Sequence, residues 1–189
     1  AEVREHTKAL KPKKPSLAVI AGAKFATKEP VLQRLLKSYD RVAVCGALAN
    51  VFIHAEGHSV GASLVSLEGQ DHIKELLKNR KLIVPKDAIV AKRGEKRDRG
   101  RVAELDDIQA DEMVLDVGPE TSAELARYVA GAKSVLWNGP LGLYEDGFSD
   151  GTRELALAIA RSGAHSIMGG GDTIDEVGKL GLLGPVFLV

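Results

Sequence analysis

Lys24 and Lys28 stand four residues apart, just after an apolar run. Each is a compact point charge with three donors, the kind of group that grips a phosphate oxygen. If Lys28 falls in a first helical turn, both ammonium groups can face one phosphate chain. On this pair alone, two solvated surface lysines remain the simpler reading. Gly169-Gly170-Gly171-Asp172-Thr173 is more specific. Three glycines let backbone N–H groups approach an anion, and a helix N-terminus directly behind them offers unpaired donors. Asp172 can hold Mg²⁺, which takes one or two carboxylates together with phosphate oxygens. Thr173 can donate to a phosphate. Either residue can equally cap the helix.

A third group is Trp137-Asn138-Gly139-Pro140-Leu141-Gly142-Leu143-Tyr144-Glu145. It follows the apolar run Ser134-Val135-Leu136, so a buried strand ends there abruptly. The Asn138 amide can bond a phosphate, and the Glu145 carboxylate can accept from ribose hydroxyls. Pro140 and Leu143 can sandwich an adenine. Taken by itself, Glu145 reads as a surface acid. No Gly-Lys-Ser/Thr follows at Walker spacing, and no Gly-x-Gly-x-x-Gly follows the first strand. A general dinucleotide site is therefore the weakest reading.

Strand ends must position these groups. Leu17-Ala18-Val19-Ile20 is a continuous apolar run, as expected of a strand buried on both faces. A helical stripe follows over Glu29 to Lys37, with Pro30 suited to its first turn. Val42 to Cys45 reads as the second strand, and Leu48 to Glu56 as a helix. His72 to Asn79 is a further helix, leading to the run Leu82 to Pro85. Asp87–Ala91 and Val102–Leu105 flank a charged loop and read as an antiparallel pair. Met113–Asp116 is a strand, Pro119–Val129 a helix, Asp150–Ser162 a helix, His165–Met168 a strand and Asp172–Leu180 a helix. Strands alternating with helices of this length predict an α/β fold: a three-layer αβα sandwich around a mostly parallel, Rossmann-like sheet. Such sheets bind ligands at the carboxyl ends of their strands.

Composition narrows the class. The 189 residues suit one domain, and 44% hydrophobic with 28% charged residues is ordinary for a globular protein. A net charge of zero provides no field for nucleic acid or anionic membrane. No apolar run approaches the ~20 residues of a membrane span. The basic loop Arg93 to Arg101 lacks interleaved aromatics and reads as a solvated hairpin loop. His54 and His58 lack a third ligand for zinc. Cys45 sits in an apolar strand and reads as a buried thiol, which suits a reducing cytoplasm. Residues 1–16 read as a linker or helix end and 17–189 as the α/β domain. The start without methionine and the apolar end Val186–Val189 suggest a piece truncated at both ends.

From Leu17 to Val189 the chain resembles the carboxy-terminal, nucleotide-binding domain of phosphoglycerate kinases. The resemblance rests on Gly22-Ala23-Lys24 with Lys28, Leu115-Asp116-Val117-Gly118-Pro119, Trp137-Asn138-Gly139-Pro140-Leu141-Gly142, Gly151-Thr152-Arg153 and Gly169-Gly170-Gly171-Asp172-Thr173, all in family order. It implies binding of ADP or ATP with Mg²⁺, and phosphoryl transfer between ADP and 1,3-bisphosphoglycerate. It implies that Lys24 and Lys28 contact nucleotide phosphates and the transferring group, that Asp172 takes the metal, and that Glu145 takes the ribose. It places Gly22, Ala23, Gly46, Asn138, Gly139, Pro140, Leu143, Gly170, Gly171 and Thr173 around the nucleotide. The phosphoglycerate partner, 3-phosphoglycerate or 1,3-bisphosphoglycerate, is expected on an amino-terminal domain outside this chain. This segment alone is then expected to be inactive. The alternative is a catalytically inactive nucleotide-binding or scaffold domain. The chain departs from the family pattern at Ala21, Thr27 and Ala47, where the family usually has Gly, Asp and Gly.

Overall fold

A computed structural model describes residues 11–66 and 68–183, together with the backbone of Phe187–Leu188. The expected helix end over Glu2 to Leu10 lies outside these residues, as do Val186 and Val189.

Six strands form the main sheet: β1 (Ser16–Ala21), β2 (Arg41–Cys45), β3 (Leu82–Ile83), β7 (Ser134–Asn138), β8 (His165–Gly169) and β9 (Phe187–Leu188). They are ordered β3-β2-β1-β7-β8-β9, and every neighbouring pair is parallel. Three helices cover one face: α1 (Phe25–Ser38), α2 (Ala47–Ala55) and α3 (Gln70–Leu77). Three others are α4 (Pro119–Gly131), α5 (Asp150–Arg161) and α6 (Gly171–Lys179).

Alternation in β1 builds both halves of the core. Leu17, Val19 and Ala21 point to a cluster holding Leu125, Val129, Leu155, Ile159 and Val177 from α4, α5 and α6. Ala18 and Ile20 point to a cluster holding Leu32, Leu35, Leu48, Phe52 and Ile73 from α1, α2 and α3. Each large side chain so buried contributes ~1.5–3 kcal/mol. The expected three-layer αβα sandwich with a parallel sheet is present.

Two elements differ from the sequence reading. Helix α1 begins at Phe25, so Pro30 lies inside its body and not in the first turn. Phe25 is buried and meets Phe52 edge-on, with centroids 5.8 Å apart. That anchor extends the helix upstream at the cost of one hydrogen bond, since Pro30 has no N–H for the Ala26 carbonyl. The strand read at Met113–Asp116 does not join the parallel sheet. It is β6 (Glu112–Val117), which pairs antiparallel with β4 (Asp87–Lys92) in a second sheet ordered β5-β4-β6. Its third strand is β5 (Arg101–Glu104), antiparallel to β4 as expected.

Candidate functional site

The sheet order reverses at β1. From β1 the chain runs out through β2 to β3, then returns on the other side of β1 to lay down β7, β8 and β9. The carboxyl ends of β1 and β7 therefore flank the switch point, where open α/β sheets bind ligands. Register sets the height of those ends. Ile20 pairs with Asn138, Asn138 with Gly169, and Ala21 with Cys45. Gly22, Gly46, Gly139 and Gly170 thus leave the sheet at nearly one level.

Gly139 makes the closest approach. Its φ is +98°, and a Cβ there would lie 2.6 Å from the Ala21 carbonyl oxygen. Its N–H donates to Thr173 Oγ1 at 2.9 Å, and its carbonyl accepts from Trp137 Nε1 at 2.8 Å. Thr173 is fully buried, so its hydroxyl braces the β7 turn from within. Lys28 is the fourth residue of α1, within its first turn, and its Nζ donates to Asn138 Oδ1 at 3.0 Å. Its stem runs over Gly22, where a Cβ would stand 3.1 Å from Lys28 Cε. Lys24 is exposed at the start of α1, and Thr27 donates its hydroxyl to the Lys24 carbonyl at 3.0 Å.

Helix ends sort into two kinds around this edge. Lys24, Gly46 and Gly170 precede α1, α2 and α6 without side-chain caps, and the first turns of α1 and α2 carry no acid. Among the described residues, the leading N–H groups of α1 and α6 are left for something else to satisfy, whereas in α2 the Leu48 N–H already donates to the Gly22 carbonyl at 2.6 Å. By contrast, α4 and α5 are closed by buried acids from the second sheet. Asp87 accepts from the N–H groups of Glu120 at 2.8 Å and Thr121 at 2.9 Å. Asp116 accepts from Gly151 N–H at 3.0 Å and Val117 N–H at 2.8 Å. Burial pushes the Asp116 carboxyl up to about 7, against those two bonds.

Beside the edge lies a cavity of ≈ 360 Å³. Its wall includes Gly22, Ala23, Gly46, Pro140, Leu143, Glu145 and Asp172, so seven residues expected from the sequence meet in one space. Lys28, Asn138, Gly139, Gly170 and Thr173 form the adjoining rim through the contacts above. Gly171 opens α6 there. Lys24 is not part of the wall. The cavity is of small-molecule size. Of the departures from the family pattern, Ala21 is core-buried, Thr27 binds its own turn, and only Ala47 adds a methyl to the wall.

Sequence reading missed three groups. Tyr144 is held between two carboxylates: desolvation, then its hydrogen bond to Asp172 and the charge of Glu145, push its phenol up to about 12. Its neighbours in the Trp137–Glu145 stretch were the available signal. Asp87 lines the cavity, and its role appears only with the non-local contact to α4. Asn50, also on the wall, is 2% exposed inside an otherwise apolar stretch of α2.

The basic loop is ion-paired and not simply solvated. Lys96 pairs with Asp146, Arg97 Nε donates to Asp150 at 2.8 Å, and Arg101 Nε donates to Glu112 at 2.7 Å. The first two contacts tie the β4–β5 hairpin to the segment that carries Tyr144 and Glu145. Among the described residues, no three His, Cys, Asp or Glu side chains gather as a metal cluster, and no helix is long and apolar enough to cross a membrane.

The family model for phosphoglycerate kinase matches residues 1–186. The phosphoglycerate kinase of Francisella tularensis subsp. novicida is 42% identical over 188 residues, covering 96% of this chain and 48% of that protein. That of Coxiella burnetii is 41% identical over 189 residues, again covering 48% of its length. The solved Coxiella burnetii phosphoglycerate kinase superposes with a TM-score of 0.93 at 39% identity, covering 100% of this chain and 50% of that one. The enzyme from Pyrococcus horikoshii OT3 gives 0.86 at 27% identity, covering 99% and 49%. The chain thus spans about half the length of the relatives it matches. Their shared fold, identity and motif order lead to one conclusion: the chain belongs to the phosphoglycerate kinase family.

Proposed function

We propose that this chain is the nucleotide-binding half of a phosphoglycerate kinase. It holds MgADP or MgATP across the β1–β7 switch point for reversible phosphoryl transfer with 1,3-bisphosphoglycerate. The observation that carries the reading is the Lys28–Asn138 contact, 3.0 Å across the switch point and directly over Gly22. A cation fixed above a glycine turn, beside uncapped helix ends, is a phosphate cradle. Lys28 would exchange its amide partner for a phosphate oxygen. The leading N–H groups of α6 would take further phosphate oxygens, and Lys24 would approach from the exposed start of α1. Pro140 and Leu143 would flank the base, and Glu145 would accept from the ribose.

Asp172 suits Mg²⁺ that arrives with the nucleotide. It is exposed, stands at the opening turn of α6 and lines the cavity, and one carboxylate beside phosphate oxygens is a normal magnesium environment. Bound there, the ion would neutralise charge on the phosphates. Phosphoryl transfer depends mostly on positioning and on such charge stabilisation. The phosphoglycerate is expected on the half of the relatives that this chain does not span. The 189 residues alone would then bind nucleotide without turnover, in the cytoplasmic setting of a glycolytic kinase.

Calorimetry with MgADP and with adenosine tests the reading. Lys28→Ala should weaken MgADP about 10- to 100-fold, the worth of one charge-assisted hydrogen bond, and leave adenosine unchanged. Absence of any nucleotide binding by the parent would leave only the scaffold alternative.

A further inference from the structure

Glu145 stands in the middle of a 3₁₀ turn, Tyr144–Asp146, between two anchors. Upstream, the Leu143 N–H donates to the Leu115 carbonyl at 2.8 Å. Downstream, Phe148 is fully buried against Ile89, Ala91 and Leu115 of the second sheet. Between those points the N–H groups of Tyr144, Asp146 and Gly147 donate only within the turn, to Gly142, Leu143 and Tyr144. Side chains must therefore set where the turn stands. The β4–β5 hairpin supplies them. Lys96 pairs with Asp146, and Arg97 meets Asp150 Oδ2 from Nε at 2.8 Å and from Nη2 at 2.7 Å. The hairpin is seated closely on the same segment. A Cβ on Gly100 would stand 2.9 Å from the Phe148 ring, and one on Gly147 would stand 3.4 Å from Arg97 Cβ. On the opposite flank, Lys179 Nζ of α6 lies 5.8 Å from the centre of the Tyr144 ring.

We propose that Lys96 and Arg97 are positioning residues that hold the Tyr144–Asp146 turn so that Glu145 meets the sugar of a bound nucleotide, an inference that rests on the nucleotide reading above. Neither side chain lines the cavity, so both act through Asp146 and Asp150. Hydrogen bonds to a carboxylate are short and directional, and a drift of about 1 Å in the turn is enough to lose them. Exposure decides what kind of contribution the pairs make. Side-chain exposures are 64% and 26% for Lys96 and Asp146, and 37% and 36% for Arg97 and Asp150. Ion pairs this open to water add little to global stability, so their effect is local. Salt screens them, so sugar recognition weakens as ionic strength rises.

The test titrates the full chain with three probes: ADP, 2′,3′-dideoxyadenosine 5′-diphosphate (which lacks the sugar hydroxyls) and pyrophosphate, all with Mg²⁺. The readout is the ratio of ADP to dideoxy affinity, from which shared phosphate contacts cancel. The parent should favour ADP about tenfold in dilute salt, the worth of a hydrogen bond to a charged group. Lys96→Met combined with Arg97→Met should lower that ratio about fivefold, and Lys96→Met alone should lower it less. Exchanging the first pair, Lys96→Asp with Asp146→Lys, should recover the parent's ratio. Raising KCl tenfold should lower the ratio in the parent and leave it flat in the double methionine variant. Pyrophosphate should bind every variant, which shows that each is folded. A parent that binds ADP and the analogue equally, methionine variants that keep the parent's ratio, or an exchanged pair that does not recover it, overturns this inference and leaves the phosphate site standing. A parent that binds neither nucleotide nor pyrophosphate overturns both readings.

Discussion

Gly139 packs against the carbonyl of Ala21 so closely that a single methyl group would come within 2.6 Å of the oxygen. The φ of +98° at Gly139 disfavours any side chain as well. Gly139→Ala should therefore cost ~3 kcal/mol or more, through backbone strain and a clash with rigid main chain. Gly131→Ala, at the end of α4 with nothing within 4 Å, serves as the control and should be neutral or slightly stabilising. Urea unfolding of both variants checks this. Equal midpoints would mean that the β1 and β7 turns are not packed as described.

Asp172→Ala should abolish the magnesium dependence of ADP binding and leave metal-free affinity nearly unchanged. The carboxylate is exposed and its partner Tyr144 belongs to the same site, so the fold should tolerate the change. Calorimetry with Mg²⁺ and with EDTA reads the difference. Retention of the parent's magnesium effect would remove Asp172 from the metal role.

The buried Asp116 sets a pH trend in stability. Burial raises its folded pKa to about 7, well above the unfolded value near 3.8. Between those values the folded state holds the extra proton, so stability falls as pH rises from about 4 to about 7. Asp116→Asn cannot titrate. It should be less stable than the parent throughout, by ~1–3 kcal/mol, because its NH₂ faces one of two N–H donors. Its deficit should shrink between pH 5 and pH 8, as the parent takes on a buried charge. Denaturant melts at both values test this, and a constant deficit would show that Asp116 does not titrate there.

The parallel sheet was legible because its strands are short, largely apolar runs set between helical stretches. Val42 to Cys45 and His165 to Met168 needed no tertiary knowledge. The start of α1 was not legible, because Phe25 earns its place through a contact with Phe52 that no local pattern reveals. Of the second sheet only the β4–β5 pair was legible, since Met113–Asp116 looks like any other buried strand until its antiparallel partner is known. Within the site, glycines at strand ends announced themselves by composition. Asp87 and Asp116 did not, because a buried acid that caps a distant helix resembles a surface acid in one dimension. The loop Arg93 to Arg101 looked solvated for the same reason: Asp146 and Asp150 lie about fifty residues away.

Lys28 and Asn138 are 110 residues apart in the chain, and each comes from a different flank of β1. An anion gripped by both touches two segments that are neighbours only after the long crossover has closed. The unfolded chain has no equivalent pair, so such an anion recognises the native topology alone. By mass action it holds the two flanks together, adding about 2.7 kcal/mol at a hundred times its dissociation constant. With the proposed nucleotide bound, the switch point would act as a clasp whose strength is set by the concentration of free ligand.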